Sequence, residues 1–263
     1  MSAALRRMGG LLSAYYAYMT AYRAELVLWA LANSLPFILM GAWYQAAGNG
    51  GYGFTPVEVA RYFLAVFVVR QLTVVWVIWE FDQDVQRGRL SQFLLQPVDP
   101  AWRYIAAHLS ERVARLPFSA LIIAIFFVVF PPARFVPHVG DVVLALVFAS
   151  LAFVLRFALQ YTLALFALWT ERASSIEGLM FILYLVLSGA IAPLEVFPDA
   201  LRVAVLWTPF PYFIWVPARL LSGGGDVDAV QAALVCLGWI TLLVVVNRVV
   251  WRRGLKRHSA MGA

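Results

Sequence analysis

Six long apolar runs constrain this chain more than any other feature. They cover residues 26–44, 57–79, 116–130, 142–169, 176–192 and 229–250. The hydrocarbon core of a bilayer takes about 20 residues of α-helix. A helix is suited to that place because it satisfies its own backbone polar groups. The composition agrees with the runs: 63% of residues are hydrophobic and 13% charged, where a soluble domain has about 45–50% and 25%. So high an apolar content also excludes a disordered chain. The reading is one all-α integral membrane domain over residues 1–263, with six transmembrane helices.

The ends of the runs carry the orientation. Of the 20 basic residues, all but Lys256 are arginine. With the N-terminus inside, the inner segments hold fourteen: Arg6, Arg7, Arg23, Arg87, Arg89, Arg103, Arg112, Arg115, Arg172, Arg248, Arg252, Arg253, Lys256 and Arg257. The outer segments hold Arg61, Arg134, Arg202 and Arg219. Positive charge collects on the cytoplasmic side, so both termini are expected there, and the net charge of +6 does not call for nucleic acid. Before the first run, Leu5, Met8, Leu12, Tyr15, Met19 and Tyr22 are spaced three and four apart. That stripe predicts a helix lying in the membrane interface over residues 1–23; a frayed leader is the alternative. The first run starts too late, and is too long, for a cleaved signal peptide.

Several chemistries are missing. His108, His138 and His258 are outside the runs and not spaced as metal ligands. A single cysteine, Cys236, forms no internal disulfide. There is no G-x-x-x-x-G-K-[ST] phosphate loop. If ATP drives this chain, the ATP and magnesium sit on another subunit, and the chain itself is not an enzyme and carries no cofactor.

Two segments outside the runs stand out. Residues 80–100, EFDQDVQRGRLSQFLLQPVDP, hold a short amphipathic stretch with Leu90 and Leu94 on one face, which Pro97 would end. The second, residues 193–225, is too apolar for a free loop, yet Pro193, Pro198, Pro209, Pro211 and Pro217 forbid one long helix. Two short helices predict themselves there, the first opened by Asp199 and closed by Pro209 and Pro211.

These residues resemble a known family. The pattern Glu80, Gly88, Leu90, Leu94, Leu95, Pro97 resembles the coupling segment of type-2 ABC-transporter permeases. The stretch from Ser188 through Gly189, Pro193, Pro198 and Pro209 to Tyr212 is similar to that family's external re-entrant hairpin. The resemblance covers nearly the whole chain. It implies a membrane-spanning permease subunit that forms a translocation pathway in the bacterial inner membrane, mostly for export. Its partners would be two ABC ATPase subunits, a second permease subunit (the same or divergent) and the lipid bilayer. Residues 81–112 would be the cytoplasmic coupling segment. Trp169, Glu171 and Arg172 could form a second ATPase contact by position. The competing reading is a secondary carrier or channel-like protein; it predicts carboxylates in mid-span and inverted repeats, and neither is found in the sequence.

Charge inside a bilayer is costly and either paired or functional. Arg70 lies mid-run; Arg156 shares a helix face with Gln160, and Glu177 opens the fifth run. They line a path for an anionic or amphipathic substrate, or they clamp helices together; Glu25 and Asn33 are possible partners for either arginine.

Overall fold

The computed structural model describes residues 3–21, 23–32, 34–50, 53–170, 173–223 and 227–260. Tyr22, Asn33, Glu171 and Arg172 lie outside the described residues. So do the side chains of Leu5, Arg6, Arg7, Arg23, Glu25, Arg257 and His258, and residues 224–225 at the end of the second segment. Among the described residues the chain is all helical, with no strand.

Among the described residues, twelve α-helices run in order: α1 (Ala3–Ala21), α2 (Arg23–Ala32), α3 (Leu35–Gly48), α4 (Pro56–Thr73), α5 (Val77–Gln86), α6 (Arg89–Leu94), α7 (Pro100–Val129), α8 (Val139–Ala164), α9 (Glu177–Leu187), α10 (Asp199–Leu206), α11 (Trp215–Leu221) and α12 (Ala229–Ala260). Four stretches of the described residues are long and apolar enough to cross a membrane: Pro56–Gln86, Pro100–Val129, Val139–Leu168 and Ala229–Lys256. They match the second, third, fourth and sixth apolar runs.

The other two runs fold as shorter pieces. The first divides into α2 and α3 near Ser34, and Pro36 takes the first turn of α3. Proline suits that position because the first amides of a helix have no intrahelical acceptor. So Pro36 begins a new helix rather than kinking a continuous one. The fifth run follows a 3₁₀ turn, Ala173–Ile176, and holds the eleven residues of α9.

The second run is also not one smooth helix. A capping box starts α4: the Glu58 N–H donates to Thr55 Oγ1, and the Glu58 carboxylate accepts from the Thr55 N–H at 2.8 Å. The helix stops at Thr73, and Val74 turns extended (φ −62, ψ 135) before α5 resumes. Thr73, Val74 and Val75 are β-branched and crowd a helix turn. The third run is the second half of α7, a helix of 30 residues, about 45 Å long. Its first half begins within the expected cytoplasmic coupling segment, 81–112. Pro131 and Pro132 follow its end in a short 3₁₀ turn.

The Pro56–Gln86 stretch is the centre of the bundle: 72% of its most apolar window is buried, against 17% for α12. Cores on either side hold it. Toward one end, Tyr62, Phe63, Val66, Phe148, Leu155, Phe213 and Trp215 pack together. Toward the other, Phe81, Leu90, Tyr104, Phe157, Tyr161 and Leu165 do. Helix α1 lies along α7, where the Ser110 hydroxyl donates to the Leu12 carbonyl at 3.0 Å.

The 193–225 segment does hold two short helices, α10 and α11. Helix α11 packs into the bundle against α4 and α8. Its first residue, Trp215, packs on the turn after α9, where Gly189 has a φ of +83. A β-carbon there would stand 2.7 Å from the Tyr62 hydroxyl and 2.8 Å from Trp215 Cβ. The Tyr62 hydroxyl donates to the Gly189 carbonyl at 2.7 Å, and the Trp215 N–H to the Ser188 carbonyl at 2.9 Å. Gly189→Ala is therefore expected to cost about 2 kcal/mol or more, read as a lower unfolding temperature of the purified protein in detergent. A variant as stable as the parent would show that the turn relaxes.

Candidate functional site

The turn between α5 and α7 presents a small surface on a rigid base. Gly88 links α5 to α6 in the left-handed region, φ +69, with open space around it, so it is the backbone angle that favours glycine. Leu90 of α6 is 0% exposed and anchors the helix in the core. Leu94 and Leu95 follow at 38% and 88% exposed. Leu90 and Leu94 thus do different work: one holds α6 down, and the other joins Leu95 and the exposed Pro97 as the outward edge.

Polar contacts brace the same turn. Asp84, itself buried, takes Arg89 Nη2 at 2.6 Å on one oxygen and the Tyr104 hydroxyl at 2.7 Å on the other. Arg103 stacks over Phe93 at 4.0 Å and donates to Gln96 Oε1 at 2.6 Å. Asp99 caps α7 by accepting from the Ala101 N–H, while its other oxygen meets Arg248 of α12 at 2.8 Å. The connection between α8 and α9 abuts this unit, because the Ser174 N–H donates to Asp82 Oδ2 at 3.3 Å. Trp169 packs against the same core.

Glu80 and His108 mark the α4–α5 break. The Trp76 N–H, left without a helical acceptor, donates to His108 Nε2 at 2.8 Å. His108 Nδ1 lies 2.7 Å from the Tyr104 carbonyl and so carries the proton. The ring is neutral in this arrangement, one nitrogen accepting and the other donating. Glu80 Oε2 is a further 3.8 Å from Nδ1. Sequence reading placed His108 outside the runs and assigned it nothing; the unexplained signal was a histidine on the extension of a helix, opposite a β-branched break.

Of the membrane-embedded candidates, the structure brings three together. Gln160 Nε2 donates to Glu177 Oε1 at 3.1 Å, joining α8 to α9. Arg156, one turn earlier on α8, places its guanidinium 4.3 Å from the Tyr184 ring centroid of α9. Arg156, Gln160 and Glu177 line one narrow cleft with Tyr184 and Phe213. Arg70 is on another helix, buried in the last turn of α4 just before the break. One arginine assigned to a cytoplasmic segment is also interior: Arg115 is 1% exposed and pairs with Glu111 at 3.5 Å, one helical turn away.

In the 193–225 segment, Pro193 and Pro198 precede a 3₁₀ turn and α10, and Pro209 follows α10. The polar centre there is Glu195, which sequence reading missed. It accepts from Trp215 Nε1 at 3.1 Å and pairs with Arg219 at 2.8 Å. Among the described residues no group of His, Cys, Asp and Glu side chains could hold a metal ion.

Two comparisons bear on what this arrangement serves. The family model described as "ABC-2 family transporter protein" matches residues 29–262. No curated protein matches the chain.

His108→Leu would leave the Trp76 N–H buried without its acceptor, at about 1–3 kcal/mol. Faster backbone hydrogen exchange over residues 74–78 is expected. Unchanged exchange would mean that the break does not need the imidazole.

Proposed function

The chain belongs to the ABC-2 family of transporter proteins and is a permease subunit of an ABC transporter; on that premise we propose that it forms half of an export pathway driven by separate ATPase subunits. Helix α6 would be the piece that meets an ATPase. The observation that carries this is the split role of its leucines: a fully buried Leu90 beneath an exposed Leu94–Leu95 edge. A contact that transmits force must be apolar at its tip and stiff at its root. Leu90, the Asp84–Arg89–Tyr104 cluster and the α7 cap supply that stiffness.

Two ATPase subunits, holding ATP and magnesium, would dock under two permease subunits, the second being the same chain or a divergent one. Closure of the ATPases would push α6. The push would pass to α5 and α7, which share a core with α8 and α12, and tilt the spans between inward- and outward-facing states. The turn between α8 and α9, tied to Asp82, would be a second point of contact. Six spans result if α2–α3 and α9, with its preceding 3₁₀ turn, also cross the bilayer. Both termini would then be cytoplasmic in a bacterial inner membrane, and the α10–α11 pair would form the external hairpin. The Arg156–Gln160–Glu177 cleft would face the pathway or the second subunit.

Co-purification with the ATPase tests this reading. Leu95→Asp or Leu94→Asp should abolish ATPase association while the variant is still inserted and monodisperse. Association left intact in both would remove α6 as the coupling element. Leu90→Ala should instead lower stability, by about 2–5 kcal/mol for a buried leucine, which thermal unfolding reads.

A further inference from the structure

Helices α7, α8 and α12 enclose a groove of about 500 Å³ that shares only the Asp99–Arg248 pair at its end with the coupling contacts. Its wall is mostly carbon. Phe153, Phe157 and Tyr161 stand at successive turns of α8, their ring centroids 6.0 and 5.6 Å apart. Trp102 and Trp251 flank the end where Arg248 meets Asp99. Tryptophans of this kind favour the membrane–water boundary, and Phe153 lies eight residues along α8 from Tyr161, about 12 Å deeper.

Polar atoms in this wall lack partners. Arg112 lies 3.5 Å over the Phe153 ring. Its Nε and Nη2 are buried with no hydrogen-bond partner among the described residues, and none of the ion pairs found there includes it. Glu111, its chain neighbour, is engaged by Arg115. The Tyr161 hydroxyl and Asn247 Oδ1 are buried without partners as well, although Asn247 Nδ2 donates to the Ala158 carbonyl at 3.0 Å. Buried polar atoms without hydrogen-bond partners are unfavourable. A ligand that supplies an acceptor there would relieve that cost.

Size selects the kind of ligand. From Trp102 to Arg112 the groove is about 15 Å long. The volume lies within the usual range for small ligands, about 300–1,000 Å³. The geometry points to a lateral binding site for an amphiphilic organic anion, its acid group against Arg112 and its apolar body along Phe153 and Phe157. A bilayer phospholipid and a free organic acid share this chemistry.

Trp102 and Trp251 are built-in reporters. The full chain is purified into phosphatidylcholine nanodiscs and titrated with a bromine-labelled fatty acid, the matched alcohol and the matched trimethylammonium. The acid is expected to quench at about tenfold lower concentration than the other two, as a charge-assisted contact implies. Arg112→Gln should erase that preference, Arg112→Lys should keep most of it, and Trp102→Phe with Trp251→Phe should remove the acid-selective part of the quenching, leaving that of the other eight tryptophans. Bromine-labelled phosphatidylglycerol forms the second arm: quenching there but not by the acid assigns the site to lipid, and the reverse assigns it to a free acid. Equal quenching by all three headgroups, or a preference that survives Arg112→Gln, overturns the site. If Arg112→Gln does not fold, Ser150→Leu, at an exposed position on the groove, decides. Weaker quenching by the acid supports the site, and unchanged quenching overturns it. Binding is read on the chain alone, so it fails or succeeds apart from ATPase association.

Discussion

Backbone amides and carbonyls at helix breaks govern this architecture. A continuous helix satisfies its own backbone, whereas a helix that stops inside an apolar bundle leaves groups that no water reaches. This chain stops helices repeatedly, and side chains close the gaps. His108 takes the Trp76 amide, Tyr62 covers the Gly189 carbonyl and Trp43 Nε1 donates to the Ile191 carbonyl at 2.9 Å. Each partner is distant in sequence, so each repair also ties two elements together. The breaks are therefore joints of the bundle as well as interruptions of it.

Buried charge follows the same accounting. Asp84 sits inside yet meets an arginine and a tyrosine hydroxyl; Glu195 does the same with Arg219 and Trp215. These fully used carboxylates sit beside turns whose shape they hold. Arg156, Gln160 and Glu177 differ, since each keeps a buried polar atom without a hydrogen bond among the described residues. Satisfied clusters lock geometry, and unsatisfied ones are where a substrate or a second subunit has something to bind.

Much of the fold was legible in the chain. The long uniform runs at 142–169 and 229–250 became α8 and α12, because length and apolarity alone decide a spanning helix. Pro131–Pro132 followed the end of α7, and Asp199 opened α10, as their local chemistry requires. The α4–α5 break was not legible as a break. Thr73–Val74–Val75 disfavours helix only weakly, and the acceptor that makes the break tolerable lies 32 residues on, at His108. The long reach of α7 was hidden for a similar reason: polar residues such as Ser110, Glu111 and Arg115 suggest a cytoplasmic segment until α1 and Glu111 are seen to cover them.

At the candidate site the motif was visible, and the division of labour within it was not. Spacing puts Leu90 and Leu94 on one face of a helix, and it cannot say that the core stops between them. Arg156, Gln160 and Glu177 were recognisable as embedded polar residues, but only packing of α9 on α8 brings them into one cleft. The sequence by itself determined the medium, the helical class and the family pattern, because those follow from composition, run length and local order. Tertiary structure decided which charges are satisfied, where helices break and which leucines face outward, because each depends on partners that only folding brings near.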